Sequence, residues 1–396
     1  MMKLQLEEIA ARWGEHLVQM RRHLHQYPEL SGDEVETSAF VQAELGRLGI
    51  PYKTGFAKTG VLGILEGGKP GKTVALRADM DALPILEKND GPVFSSRPGI
   101  MHACGHDAHT AMLLGAAAIL KEYQADLLGR VLFIFQPAEE QVPHGGAQPM
   151  MDDGLFDQYL PDVIYGQHVW PDLPVGTIGV KEGAIMANSD GFTITIHGAG
   201  GHASMPHQGL DAIVVAAQII NTLQTIVSRN INPLEPAVLT IGKITGGYRY
   251  NVIADEVVLE GTTRSLDPKV RLLLKERLHQ VVEQVAEAMG ARATVQFQEG
   301  YPVTFNSAHW VEQVRKTAHN LLGTGSTPAI QPSMGGEDFS RFLQRIPGAF
   351  FWLGCALPDR PVQKPLHDPQ FQLDERVLPI GAGLMAQLVL DTLLSK

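Results

Sequence analysis

The sequence predicts an α/β protein in which a mainly parallel sheet is interrupted by a separate α+β unit. Three observations carry that expectation. Near-continuous apolar runs alternate with helical segments in the first half. Near Ala187 the texture changes to strands and helices in the order β-α-β-β-α-β. After residue 298 the first texture returns. At 396 residues the chain is long enough to bury two cores.

The elements follow in order. An amphipathic helix is expected near residues 5 to 26, and another over TSAFVQAELGRLG. VLGILEG and TVALRAD read as short strands, followed by a helix from about Ala108 to Tyr123 and the strands VLFIFQ and VIYGQH. TVALRA and VLFIFQ are apolar almost throughout, as strands covered on both faces must be. GFTITIHGAG then alternates as a half-buried strand, and LDAIVVAAQIINTLQTIV is a helix. AVLTIGKITG and EVVLEGTTRS are strands, DPKVRLLLKERLHQVVEQVAEAMG a second helix and ATVQFQEG the closing strand. This is the ferredoxin-like split unit, complete in itself, so residues 187–298 are expected to form an inserted domain. Residues 1–186 and 299–396 then form one discontinuous domain, finished by SAHWVEQVRKTAHNLLG, GAFFWLG and a helix from about Val377 to Leu394.

Composition excludes several functions. With 32 basic against 43 acidic residues the net charge is -11, too acidic for a phosphate-neutralising surface, so nucleic acid is not an expected partner. Glu7, Glu8 and Glu15 interrupt any leader-like apolar core at the N-terminus, and no run of 18 uncharged apolar residues occurs. A cytoplasmic protein with no membrane partner is expected. Two cysteines, Cys104 and Cys355, cannot build a disulfide framework. GGKPGKT at 67–73 lacks the spacing and following helix of a phosphate loop, and reads as a turn before a strand.

The densest polar cluster is His102-Ala103-Cys104-Gly105-His106-Asp107-Ala108-His109, just ahead of an apolar helix. Thiolate and neutral imidazole suit a borderline-soft divalent ion. Gln136-Pro137-Ala138-Glu139-Glu140 follows VLFIFQ, at the carboxyl end of a strand, where open α/β sheets place function. Adjacent residues leaving a strand diverge, so one glutamate can ligate while its neighbour reaches a water. Arg77-Ala78-Asp79-Met80-Asp81 after TVAL, His168 after VIYGQ and His367 after FFWLG are placed similarly. Three histidines and a cysteine within eight residues are hard to explain as a polar helix start, whereas taken singly the glutamate pair reads more readily as an acidic loop and a lone histidine as a satisfied one. Several strand ends delivering Cys, His, Glu and Asp would surround one crevice.

The segments RRHLHQYPELS, LRADMDALPI, MHACGHDAHTAMLLGAA, FQPAEE, GQHVWPDLPVGTIG, GHASMPHQGLDAI, YNVIADEVVLEGTTRS, MGGEDFS and LHDPQF span nearly the whole chain. In this order they resemble the metal-dependent aminoacylase and carboxypeptidase superfamily, in the branch of hippurate hydrolases, N-acyl-amino-acid amidohydrolases and auxin-conjugate hydrolases. The resemblance implies a dimetal catalytic domain with an inserted lid and dimerisation domain, and a homodimer. It implies two divalent ions (Zn, Mn, Co or Ni) held by Cys104, His106, Glu140, His168 and His367, with Cys104 bridging. Glu139 would be the general base, Asp81 the acid that orients a ligand, and His202 a group reaching across the dimer to the oxyanion. Asn251, Arg264, Gly335 and Gly336 would line the substrate site, where an arginine fork suits a carboxylate. For Asn251 and Arg264 a turn cap and a strand-surface charge are the competing readings. The implied substrate is a small N-acylated amino acid. A dipeptidase, carboxypeptidase or biosynthetic deacetylase of the superfamily is the nearest alternative, and a noncatalytic metal-binding protein on the same scaffold the more distant one. The chain departs from that pattern after Glu140, where QVPHGGAQPMMDDG is a few residues longer and carries His144.

Overall fold

The structure is a computed structural model that describes residues 3–89 and 91–394. Two compact units emerge: one runs up to Ile185 and adds Phe305–Gln331 and the segment from Asp338, and the other comprises Met186–Thr304 with Pro332–Glu337.

The first unit is built on a seven-stranded sheet in the order Tyr52–Phe56, Gly60–Glu66, Leu128–Gln136, Lys69–Asp79, Val163–Pro174, Gly348–Ala356, Ile178–Gly179. The four strands from Leu128–Gln136 to Gly348–Ala356 are parallel, and antiparallel strands flank them on both sides. The parallel centre is where the sequence is most uniformly apolar, with Val131, Phe133, Phe135, Val74 and Leu76 buried. The edge strand Tyr52–Phe56 carries no such signal because four of its five residues are exposed. Helices Leu6–Gln26, His106–Glu122, Ala308–Leu322 and Val377–Leu394 complete the layer. His106–Glu122 is buried on nearly every face, and its Gly115 permits close packing, since a Cβ there would lie 2.5 Å from Leu17 Cδ2 and 2.9 Å from Ala382 Cβ.

Register sets the site. Asp79 lies opposite Gln136 and Arg77 opposite Gly166 on the parallel neighbours, so the three strands end side by side. The loops leaving two of them at Asp81 and Glu139–Glu140, and His168 on the third strand itself, therefore lie toward the carboxyl ends of the strands, where open α/β sheets carry ligands.

The second unit has a four-stranded antiparallel sheet in the order Ala237–Gly246, Glu256–Ser265, Ser189–His197, Arg292–Tyr301, the ferredoxin-like arrangement. Helices Ala212–Thr225 and Pro268–Ala288 pack on it through Val215, Ile219, Leu223, Leu274 and Leu278, against Ile194, Ile196 and Leu259. Asp211 and Asp267 cap the two helices through the amides of Ile213 (2.9 Å) and Lys269 (2.6 Å). The stretch Ala212–Asn230 is long and apolar enough to cross a membrane by composition, but its apolar stripe is the one that seats on this sheet.

The boundaries differ from the expected 187–298. The last strand continues to Tyr301, and the segment 332–337 joins this unit. Ala187 N donates to Ser333 O (3.1 Å) and to Gly335 O (2.9 Å). Gly335 and Gly336, expected in the discontinuous domain, thus belong with the inserted unit. Hydrogen bonds between residues about 150 positions apart leave no trace in local composition.

Candidate metal centre

The loop before helix His106–Glu122 is shaped by glycine. Gly105 sits at φ +85°, and a Cβ there would fall 2.4 Å from Val169 Cγ2, so only glycine lets the Cys104–His106 turn approach the strand that carries His168. Cys104 Sγ then lies 3.3 Å from His168 Nε2. His367 is drawn in by its backbone, which donates to Ala103 O at 2.8 Å, and it adopts a left-handed φ of +67°. Such strain in a non-glycine residue concentrates at functional sites.

The protein sets the tautomers. His106 Nδ1 donates to Asp81 O (2.9 Å) and lies 3.2 Å from Asp81 Oδ1, which leaves Nε2 directed inward. His168 Nδ1 donates to Val169 O at 2.7 Å, again freeing Nε2. This is how metal-binding imidazoles are oriented. Asp81 is itself held by Ser31 Oγ (2.7 Å) and Glu140 N (2.9 Å). His109 is different: Nδ1 faces Asp79 Oδ1 at 2.5 Å and Nε2 accepts from Val169 N at 2.9 Å, so both nitrogens are engaged within the protein.

Two donor sets share the thiol. Cys104, His106 and His168 form one and Cys104, Glu140 and His367 the other, with ligand atoms within 4.8 Å of each other. His106, Glu139 and Glu140 form an overlapping set on the same criterion. Their fit to cations has an independent sign: His106 Nε2 and Glu140 Oε1 are buried without a hydrogen-bond partner. His367 Nε2 stands 3.1 Å from Glu140 Oε1 outside hydrogen-bond geometry. Buried polar atoms left unpaired cost free energy. Once deprotonated, donor atoms that converge in this way are what a divalent ion satisfies.

Electrostatics point the same way. Asp79, Asp81 and Glu139 are buried together, and among the described residues Arg77 is the fixed cation inside the cluster, 2.6 Å from Asp79. Burial pushes the Cys104 thiol well above its usual range, and the charges of Glu140, Glu139 and Asp79 push it further. Burial would lower His106, yet Asp79, Asp81 and Glu140 overcome it and raise it to about 10. His168 is driven well down by burial and by the charge of His109. A centre this negative holds a proton on His106 and on the thiol until a metal displaces them.

The structure brings Asp81, Cys104, His106, Glu139, Glu140, His168 and His367 together in the first unit. His102, the remaining histidine of the motif, belongs to neither set; burial lowers it to about 4 and both its ring nitrogens lack partners. Sequence reasoning passed over the roles of Asp79, His109, Gln136 and Asp338. Arg77 Nη1 meets Asp79 Oδ2 at 2.6 Å, Nη2 meets Asp338 Oδ1 at 2.8 Å and Nε donates to Gln136 Oε1 at 2.8 Å. The available signal was the Arg77-x-Asp79 alternation, which puts both side chains on one face of a strand.

The second unit holds the other residues in two places. His202 pairs with Val252 on the short Gly201–His202 and Val252–Ile253 ladder, with Asn251 adjoining; His202 is exposed, and its Nδ1 lies 2.7 Å from Ser204 Oγ. This ladder flanks the Glu256 end of strand Glu256–Ser265. Arg264 is at the other end, where Gly336 approaches so closely that a Cβ would lie 3.3 Å from Arg264 Nη1 and 2.8 Å from Ser189 Cβ. Eight strand residues at ~3.3 Å each separate the two groups by roughly 25 Å.

Comparison with known proteins places these features in context. The model of peptidase family M20/M25/M40 matches residues 75–391. N-acetyl-L-cysteine deacetylase of Bacillus subtilis is 46% identical over 362 residues, 91% of this chain and 84% of that protein. Thermostable carboxypeptidase 1 of Saccharolobus solfataricus is 41% identical over 92% of both chains. Among solved structures, the Bacillus subtilis YXEP protein, described as a dinuclear metal binding peptidase from the M20 family, superposes with a TM-score of 0.85 at 36% identity, covering 98% of this chain and 99% of that one.

Two outcomes are expected. Cys104→Ala lowers the metal content of protein purified with Zn or Mn, by elemental analysis; two full equivalents would show that the thiol is dispensable. Because metal must displace protons held on His106 and Cys104, affinity rises from about pH 6 to about pH 8 with net proton release. Titration calorimetry in buffers of different ionisation enthalpy reads that release, and a pH-independent affinity would contradict it.

Proposed function

Because this chain belongs to peptidase family M20/M25/M40, we propose that it is a metal-dependent amidohydrolase cleaving the amide bond of N-acylated amino acids, with Glu139 as general base. The observation that carries this reading is the pair of donor sets sharing Cys104, with Glu139 beside them. Cys104, His106, Glu140, His168 and His367 would hold two divalent ions, Zn, Mn, Co or Ni, which when bound polarise an amide oxygen and make a water acidic.

The chain's own residues do the rest. Glu139 is 6% exposed, and its Oε1 is held 3.4 Å from the Asp338 amide, so it is directed rather than solvated. It takes the proton of the attacking water and returns it to the departing amine nitrogen. Asp81 keeps His106 in its ligating tautomer.

In the second unit, Arg264 with Gly335 and Gly336 would receive the amino acid's carboxylate, Asn251 would line the substrate site, and His202 would steady the oxyanion. The roughly 25 Å between those groups favours a homodimer in which each site draws on both subunits. An apolar surface fits this: Ile213, Val214, Ile244, Tyr248 and Tyr250 are exposed on the same unit. A cytoplasmic location accords with the two buried free cysteines.

The deacetylase of N-acetyl-L-cysteine supports an N-acyl amino acid substrate. The carboxypeptidase at 41% identity makes peptide cleavage the second reading. Protein loaded with each metal is assayed against N-acetyl, N-benzoyl and longer N-acyl amino acids, with dipeptides in parallel. Metal-dependent release of free amino acid from the acyl substrates supports the proposal; turnover of dipeptides alone replaces it with the peptidase reading, and no turnover with two bound metals removes catalysis.

Glu139→Ala is expected to keep its fold and metal but lose about 10²- to 10⁴-fold in kcat; an unchanged rate would remove the base. His202→Ala is expected to lower kcat with metal content and subunit association intact. A wild-type kcat in that variant would refute the oxyanion role.

A further inference from the structure

We propose that Asp338 is a positioning residue that closes the loop carrying Glu139 and Glu140 and aims Glu139; its catalytic consequence rests on Glu139 being the base. The loop leaves the sheet at Gln136 and returns at helix Ala147–Asp152. Its neck is tight: a Cβ on Gly146 would lie 1.8 Å from Pro137 O. Both sides of that neck are bound by the Asp338 carboxylate. On the outgoing side Gln136 Nε2 donates to Oδ1 and Oδ2, each at 2.8 Å. On the returning side Gly146 N and Ala147 N both donate to Oδ2 at 2.9 Å. Arg77 Nη2 adds a charged donor to Oδ1 at 2.8 Å. Between these anchors the chain turns through Ala138 at a left-handed φ of +56°, and Asp338's own N–H lies 3.4 Å from Glu139 Oε1.

The chemistry of this hub is specific to a carboxylate. Asp338 is fully buried, and the groups hydrogen-bonded to its carboxylate, the Arg77 guanidinium, the Gln136 side-chain amide and two backbone N–H, are all donors. An asparagine has the same shape, but its amide nitrogen must take either the Oδ1 place, facing Arg77 Nη2 and Gln136 Nε2, or the Oδ2 place, facing Gly146 N, Ala147 N and Gln136 Nε2, so donor opposes donor whichever way it turns. Gly145, at φ +63°, reports the same fit from the loop side, since a Cβ there would sit 2.3 Å from Asp338 Oδ2.

The test uses the full-length protein. Asp338→Asn is expected to lower kcat about 10²-fold, as misplacement of a reacting group does, with KM and metal content near wild type. In a Glu139→Ala background the same substitution should cost less than about twofold, because a residue acting through Glu139 has nothing left to position. Hydrogen exchange on the metal-free protein gives an independent readout: peptides covering 137–147 should exchange faster in Asp338→Asn, with those of helix His106–Glu122 unchanged. Equal costs in the two backgrounds, or unchanged exchange at 137–147, would overturn the proposal. If Glu139→Ala alone keeps the wild-type rate, the base assignment fails while the exchange result still decides whether Asp338 closes the loop. Should Asp338→Asn not fold, Gly145→Ala presses on the same contact from the other side and is expected to show the same exchange and rate pattern.

Discussion

The first unit depends on how negative charge is accommodated at the ends of its parallel strands. Asp79, Asp81 and Glu139 are removed from water beside a thiol and a half-buried glutamate, an arrangement that burial alone would force to neutralise. Arg77 offsets part of it, and its guanidinium is spent on Asp79, Asp338 and Gln136. A protonated His106 offsets more of it, and burial beside these carboxylates keeps the Cys104 thiol from adding a further negative charge. The same imbalance makes the centre receptive to divalent ions, so metal binding and charge compensation are one property.

Precision around that centre comes from hydrogen bonds that leave one atom of each group unused. Asp81 and the Val169 carbonyl occupy the Nδ1 positions of His106 and His168, which leaves, among the described residues, His106 Nε2 unpartnered and His168 Nε2 in contact with the thiol alone. His109 is locked between Asp79 and Val169 N, which ties the sheet's aspartate to the backbone next to His168.

The inserted unit has its own core and its own logic. Its antiparallel sheet and two capped helices share a core of their own, and its polar residues of interest fall in two places, His202 and Asn251 by the short ladder and Arg264 near the far end of strand Glu256–Ser265. His202 and Arg264 therefore stand well apart within one copy of this unit.

Much of this was legible in the residues. Periodicity and turn chemistry determined the α/β layer, the ferredoxin-like insertion and nearly every helix, because these depend on near neighbours and on which faces must be buried. Motif order also placed the chain in its family, and Cys104, His106 and the Glu139–Glu140 pair stood out by residue type alone. Tertiary structure decided the rest. Strand Tyr52–Phe56 is too exposed to announce itself, and the segment 332–337 joins the inserted unit through hydrogen bonds to Ala187. Asp338 shares its carboxylate with Gln136, 202 positions away. Sequence by itself determined which side chains could bind metal and move a proton; only folding decided which of their atoms were already engaged, because a hydrogen bond between distant residues is set by strand register and packing, not by local pattern.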